Sequence, residues 1–277
     1  MNNRDKHHTL HRLGWNHYRH GTSDAHDIHE VGRSDLYVGR VTALYPAGCC
    51  RITIGEGDIL VSTRNMKQHA APVTGDWILF QKTQRDSRGM EGIAEEILPR
   101  STGFSRKAAG KETKEQCIAA NIDYILIIIG LDANFKTTRI ERYLTAAWES
   151  GAQPVIVLNK SDVCGQEELF EKRTAAEKTA VGCPVFVTSA ATGEGLGEVS
   201  ELIEDNKTAV LAGSSGVGKS SIINCLLGDS RQSVQSVRKG DGKGRHTTTV
   251  SELLLLPSGG CIIETPGMRE LQVWSSP

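Results

Sequence analysis

Asn159-Lys160-Ser161-Asp162 and Gly213-Ser214-Ser215-Gly216-Val217-Gly218-Lys219-Ser220 decide how this chain folds, and their order says more than either stretch alone. The second follows an apolar segment and leads into a helical pattern, so it satisfies G-x-x-x-x-G-K-[ST] in a strand–loop–helix context. Glycines let such a loop curl until its backbone N–H groups surround phosphate oxygens, and the helix N-terminus adds a favourable dipole. Lys219 is placed to reach the β- and γ-phosphates, and the Ser220 hydroxyl, followed by Ser221, to ligate Mg²⁺. This loop does not choose between ATP and GTP.

The tetrad at 159–162 does choose. It ends an apolar strand pattern over 154–158, and open α/β sheets bind ligands at the carboxyl ends of their strands. Asp162 can accept hydrogen bonds from guanine N1–H and the exocyclic amine. Adenine has no such pair and would leave the carboxylate facing an acceptor. Asn159 either addresses the other edge of the base or braces the phosphate loop, while the stem of Lys160 covers the ring beside Ser161. Ser189-Ala190 ends the next strand pattern, and the Ala190 N–H is expected to meet the guanine carbonyl.

Three further groups complete the reading. Glu264-Thr265-Pro266-Gly267 ends a strand pattern and is similar to the D-x-x-G box, whose acid holds Mg²⁺ through water and whose glycine amide meets the γ-phosphate. Glutamate is one methylene longer than aspartate, so altered Mg²⁺ affinity is expected. Within the polar, glycine-rich stretch 228–249, Thr247 or Thr248 stands where a switch threonine ligates Mg²⁺. Met268 follows Gly267, in place of the glutamine that orients water in Ras-like enzymes. His246 is the candidate for that role, against plain solvent exposure or a partner contact. Gly216 stands where potassium-activated GTPases carry asparagine, so potassium dependence is not expected.

Around these motifs the pattern alternates. Residues 122–129 form a continuous aliphatic run, the mark of a strand covered on both faces. Helical spacing at 139–150, 167–180 and 197–204 separates it from strand patterns at 154–158, 185–188 and 208–212. Two more strands are expected at 252–256 and 260–263, giving a parallel-rich α/β sheet. Upstream, five short β-rich runs between 36 and 98, separated by turn signals, fit a small closed barrel such as an OB-fold. A sandwich fragment or an SH3-like barrel shares that periodicity. The expected organisation is a histidine-rich extension over 1–34, a barrel over 35–98, a basic linker over 99–116 and a nucleotide-binding domain over 117–277.

Bulk properties bound the rest. The chain has 277 residues and a formal net charge of −1, so any nucleic-acid contact must come from local patches. Its seven cysteines show no zinc-ligand spacing, and reduced thiols in a cytoplasmic protein are the simplest reading. The longest apolar run is too short to span a bilayer. Seven of the nine histidines fall within the first 29 residues at irregular spacing, which suggests a mobile or loosely docked extension more than a metal site.

The motif order is base-reading boxes, phosphate loop, switch threonines, then the D-x-x-G-like box. With a preceding barrel and the strings GSSGVGKSS (213–221), GRHTTT (244–249) and ETPGMREL (264–271), it resembles the ribosome small-subunit-dependent GTPase family, RsgA or YjeQ. The resemblance implies an α/β fold, a circularly permuted P-loop GTPase domain preceded by a small OB-fold-like barrel. It implies GTP/GDP and Mg²⁺ as ligands, a monomer, and the 30S ribosomal subunit with its 16S rRNA as partner in late maturation. Hydrolysis in that family is slow alone and stimulated by the subunit. Two departures stand out: E-T-P-G replaces the family's D-T-P-G, and the family continues into a C-terminal zinc domain whereas this sequence ends at Pro277, so zinc is not expected in what is present. A nucleotide-gated RNA-binding module with weak hydrolysis is the second reading. An ATP-dependent small-molecule kinase is the third.

Overall fold

A computed structural model describes residues 10–15, 18, 36–54, 57–64, 66, 71–107, 115–133, 135–204, 206–228 and 251–265. The first five strands are β1 (Leu36–Tyr45), β2 (Cys49–Ile54), β3 (Gly57–Ser62), β4 (Trp77–Lys82) and β5 (Met90–Ile97). They pair in the order β1-β2-β3-β5-β4, and β4 returns to β1, so the sheet closes. β3 and β5 run parallel while every other barrel pair is antiparallel. Closure with this order is that of an OB-fold and leaves neither a sandwich nor an SH3-like barrel. Alternate residues point inward, so Val41, Ile52, Ile78 and Phe80 fill the interior with Val61 and Ala94.

The second half alternates strands and helices as its periodicity requires. Strands β8 (Tyr124–Gly130), β9 (Gln153–Asn159), β10 (Val185–Thr188), β11 (Thr208–Ala212), β12 (Glu252–Leu255) and β13 (Cys261–Glu264) lie in the order β10-β9-β8-β11-β13-β12. All neighbouring pairs are parallel except β12–β13. Helices α1 (Thr137–Glu149) and α2 (Gln166–Thr179) belong to one core; α3 (Leu196–Ile203) and α4 (Lys219–Leu227) belong to the other. Residues of β8 divide between the two: Ile125, Ile127 and Ile129 on one side, Leu126 and Ile128 on the other. The unbroken aliphatic run thus reflects burial on both faces.

Two regions differ from the sequence expectation. The 99–116 stretch does not merely connect. It holds β6 (Gly103–Lys107) and the start of β7 (Glu115–Ala120), an antiparallel pair with Phe104 buried in the core. The basic residues obscured this, because the apolar positions of the hairpin lie on both sides of the charged stretch. Arg100 forks onto the buried Asp76, with Nε–Oδ1 at 2.7 Å and Nη2–Oδ2 at 2.8 Å. Burial pushes the Asp76 carboxyl pKa up, and the Arg100 bond opposes that shift.

The N-terminal stretch is the second difference. Leu13, Trp15 and Tyr18 are buried in the larger core, not loosely docked. Trp15 sits 4.8 Å from Trp77 between ring centroids, and Arg12 donates to the Leu256 carbonyl at 3.1 Å. Three apolar side chains among many histidines decided the packing, since large apolar side chains stabilise by area buried. Most of the histidine-rich segment lies outside the described residues.

Barrel, sheet and N-terminal segment meet at Arg40, 1 % exposed. Its guanidinium donates to the carbonyls of Gly75 (3.3 Å), Asn121 (2.8 Å) and Leu13, and to Thr208 Oγ1 at 2.8 Å. β1 also pairs with β12 at Ala43–Glu252, and Arg51 of β2 pairs with Glu252, so barrel and sheet form one continuous eleven-stranded array. All seven cysteines are free; burial pushes the thiols of Cys50 and Cys261 up to about 12 and about 11, so both stay protonated at neutral pH.

Arg40→Met should remove the guanidinium from four buried acceptors, of which the Gly75 carbonyl keeps the Asn121 amide at 3.1 Å, and destabilise the fold by on the order of 3 kcal/mol. The expected reading is a lower urea midpoint with unchanged m value. Arg40→Lys should not restore it, because one ammonium cannot span four divergent acceptors.

Candidate nucleotide site

The parallel strands end together. Gly130 aligns with Asn159, Asn159 with Thr188, and Val210 with Ile263, so Asn159, Ser189, Gly213 and Glu264 share the carboxyl edge of the sheet. Two motifs that are distant in sequence become neighbours there. The phosphate loop leaves β11 at Gly213, and α4 begins at Lys219 after Gly218 in a left-handed conformation. Val217 turns into the core and anchors the loop, while Ser215, Gly216, Ser220 and Ser221 are exposed and Ser214 is half-buried. The first turn of α4 has no intrahelical acceptor for its N–H groups, the ordinary condition for anion binding at a helix start. Lys219 Nζ folds back onto the carbonyls of Gly213 (2.6 Å) and Ser214 (2.8 Å).

Asn159 makes the bracing contact that was one of its two expected roles. It is 1 % exposed, and its Nδ2 donates to the Val217 carbonyl at 2.8 Å, so it braces the phosphate loop. Its Oδ1 accepts from the Ala190 N–H at 3.0 Å and from Thr188 Oγ1 at 3.3 Å. The Ala190 amide, expected to meet the guanine carbonyl, therefore faces Asn159 in this structure. A Cβ on Gly218 would collide with Asn159 Nδ2, so the loop needs glycine there for this contact as well as for its φ of 100°.

Lys160 adopts a left-handed conformation, and a 3₁₀ turn over Ser161–Val163 carries Asp162 outward. Ser189 Oγ donates to Asp162 Oδ1 at 2.5 Å and accepts from Thr192 N–H at 3.2 Å. A charge-assisted bond of that length fixes the carboxylate while leaving its second oxygen for a ligand. Ser161 Oγ is buried without a partner among the described residues.

Glu264 ends β13 half-buried, aligned against β12 at Glu252. Ser220 and Glu264 supply hard oxygen donors of the kind Mg²⁺ takes. Among the described residues no cluster of three histidine, cysteine or acidic side chains could hold a metal on its own. His246, Thr247, Thr248 and Gly267 lie outside the described residues. Sequence reasoning missed Asp132, which holds the Lys160 ammonium at 2.7 Å. Its position just past the longest aliphatic run, beside the tetrad's strand, was the available signal.

The RsgA GTPase family profile matches residues 97–274. The chain belongs to the RsgA GTPase family. It is 36 % identical over 277 residues to the small ribosomal subunit biogenesis GTPase RsgA of Opitutus terrae, covering 96 % of this chain and 73 % of that one. It is 44 % identical over 205 residues to RsgA 2 of Lactiplantibacillus plantarum, covering 74 % and 56 %. The solved structure of YjeQ from Thermotoga maritima superposes with a TM-score of 0.63 at 26 % identity, covering 84 % of this chain and 75 % of that one. The chain thus spans between about half and three quarters of the length of these RsgA relatives. The motif order on an unchanged strand order makes the domain a circularly permuted P-loop GTPase fold.

Asn159→Ala should leave the Val217 carbonyl and the Ala190 N–H unpaired and weaken GDP binding by about tenfold or more. Asn159→Asp should fare no better, since it keeps the acceptor for Ala190 but sets a second acceptor against Val217. Titration with a fluorescent GDP analogue checks both.

Proposed function

We propose that this chain binds GTP in preference to ATP and hydrolyses it as a switch on the 30S ribosomal subunit during late maturation. The observation that carries the reading is Asp162, oriented by Ser189 at 2.5 Å beside an Asn159 that is bonded to the phosphate loop. A carboxylate so held meets the two donors of guanine and repels adenine. The names of the RsgA relatives support the ribosomal partner, and 16S rRNA is the phosphate-bearing surface such a subunit presents.

On this reading the triphosphate takes the place that Lys219 now fills with its own loop's carbonyls, and the ammonium turns to the β- and γ-phosphates. Backbone N–H groups of 214–220 cradle the phosphates, and Gly267 meets the γ-phosphate. Ser220, one of Thr247 and Thr248, and Glu264 through water would hold Mg²⁺, which neutralises phosphate charge when bound. His246 orients the attacking water. The protein acts as a monomer in the cytoplasm, the compartment of its ribosomal partner.

The second reading, a nucleotide-gated RNA-binding module, draws support from Glu264 and Met268 in place of the usual acid and glutamine. Measuring GTP turnover with and without purified 30S subunits separates the two. A rise of about a hundredfold or more is expected; no rise at saturating subunit overturns the enzyme reading. Asp162→Asn should weaken GTP by about a hundredfold and favour xanthosine triphosphate, whose C2 carbonyl accepts from an amide. Unchanged nucleotide preference in competition binding would sink the guanine assignment.

A further inference from the structure

Asp132 lies two residues past the end of β8, outside every nucleotide motif. Its Oδ2 accepts from Lys160 Nζ at 2.7 Å, with the two side chains 27 % and 32 % exposed. The turn that carries it is itself fixed from several directions. Leu131 N–H donates to the Asn159 carbonyl at 2.8 Å, and Phe135 N–H closes the turn onto the Asp132 carbonyl at 3.0 Å. From α2, Lys172 Nζ donates to the Leu131 carbonyl at 2.7 Å and lies over the Phe135 ring. Glu168 pairs with Lys172 one turn away and holds it there.

Lys160 is thereby held at both ends. Its backbone stands at φ 72° and ψ 40°, a conformation that non-glycine residues adopt rarely. Its ammonium is tied to a carboxylate on the turn that follows β8. A free lysine would lose rotamer entropy when its stem packs against a planar ring. A lysine already pinned in the unliganded protein loses much less.

We propose that Asp132 is a positioning residue for the nucleotide: it pins the Lys160 ammonium so that the four-carbon stem forms a ready-made rail for one face of the guanine ring. The inference rests on reading 159–162 as the guanine site. It assigns part of the base affinity to a residue that touches no nucleotide. The partly exposed pair contributes little to stability, so its removal acts mainly on binding.

The test is a double-mutant cycle read by fluorescent GDP titration with Asp132→Asn, Lys160→Met and the double variant. Asp132→Asn should weaken GDP about fivefold while leaving the affinity for inorganic tripolyphosphate and the thermal midpoint unchanged. Asp132→Glu should recover part of the loss. In the Lys160→Met background, Asp132→Asn should cost nothing further. Unaltered GDP affinity in Asp132→Asn, a parallel loss of tripolyphosphate binding, or an equal loss in the Lys160→Met background would each overturn the proposal. Asp162→Asn, run alongside, keeps the underlying reading separate. If it leaves guanine preference untouched, the site assignment fails. If it abolishes that preference while Asp132→Asn is silent, only the role of Asp132 falls.

Discussion

One buried carboxamide holds the site together. Asn159 must satisfy the Val217 carbonyl, the Ala190 N–H and the Thr188 hydroxyl at once, and a carboxamide is the side chain that presents donor and acceptor on one planar group. The bond to Val217 spans 58 residues of chain. At 1 % exposure no water replaces a lost partner, so each unpaired group would carry the full penalty of about 1–3 kcal/mol. Gly218 follows from the same constraint, because any side chain there would occupy the space of the Asn159 amide. The 159–162 tetrad and the 213–220 loop are thus tied into one unit, even though the chain makes them far apart.

A second buried group sets how that unit meets the barrel. Arg40 comes from β1, yet its acceptors belong to the N-terminal segment, the turn before β4, the turn before β8 and the first residue of β11. Burial lowers its pKa, and the nearby Cys261, Asp123 and Asp76 oppose that. Four directional bonds from a planar group leave the barrel little freedom to rotate. The barrel also grips the chain just after the threonines at 247–249: Thr74 Oγ1 donates to the Ser251 carbonyl at 3.1 Å, and Arg51 pairs with Glu252. The barrel is thereby joined directly to Ser251 and Glu252.

Much of this was legible because local pattern and tertiary demand agree. The aliphatic run in β8 is long enough to require two covered faces, and the Gly-rich loop between β11 and α4 is explained only by a backbone that must curl. The barrel was legible as five strands that fit an OB-fold, but the same pattern fitted a sandwich fragment or an SH3-like barrel, since periodicity records the two faces of a strand and not its neighbour. The β4–β1 pairing that closes it links residues about forty apart, and nothing local signals it. The hairpin β6–β7 and the packing of Trp15 were masked by composition, since charge and histidine content describe surfaces and leave out the few side chains that are buried.

The amino-acid sequence by itself determined the element types of the nucleotide domain's alternating strands and helices, the permuted order of the motifs and the chemistry each can perform, because glycine, lysine, asparagine and aspartate carry those capacities wherever they fold. Only the tertiary structure decided that Asn159 braces the phosphate loop. Only the tertiary structure turned the Ala190 amide toward Asn159 and brought Asp132 to Lys160. Such choices depend on which buried donors and acceptors lie within about 3 Å of one another. That distance is set by strand registers closed over tens of residues, and no local stretch of sequence encodes it.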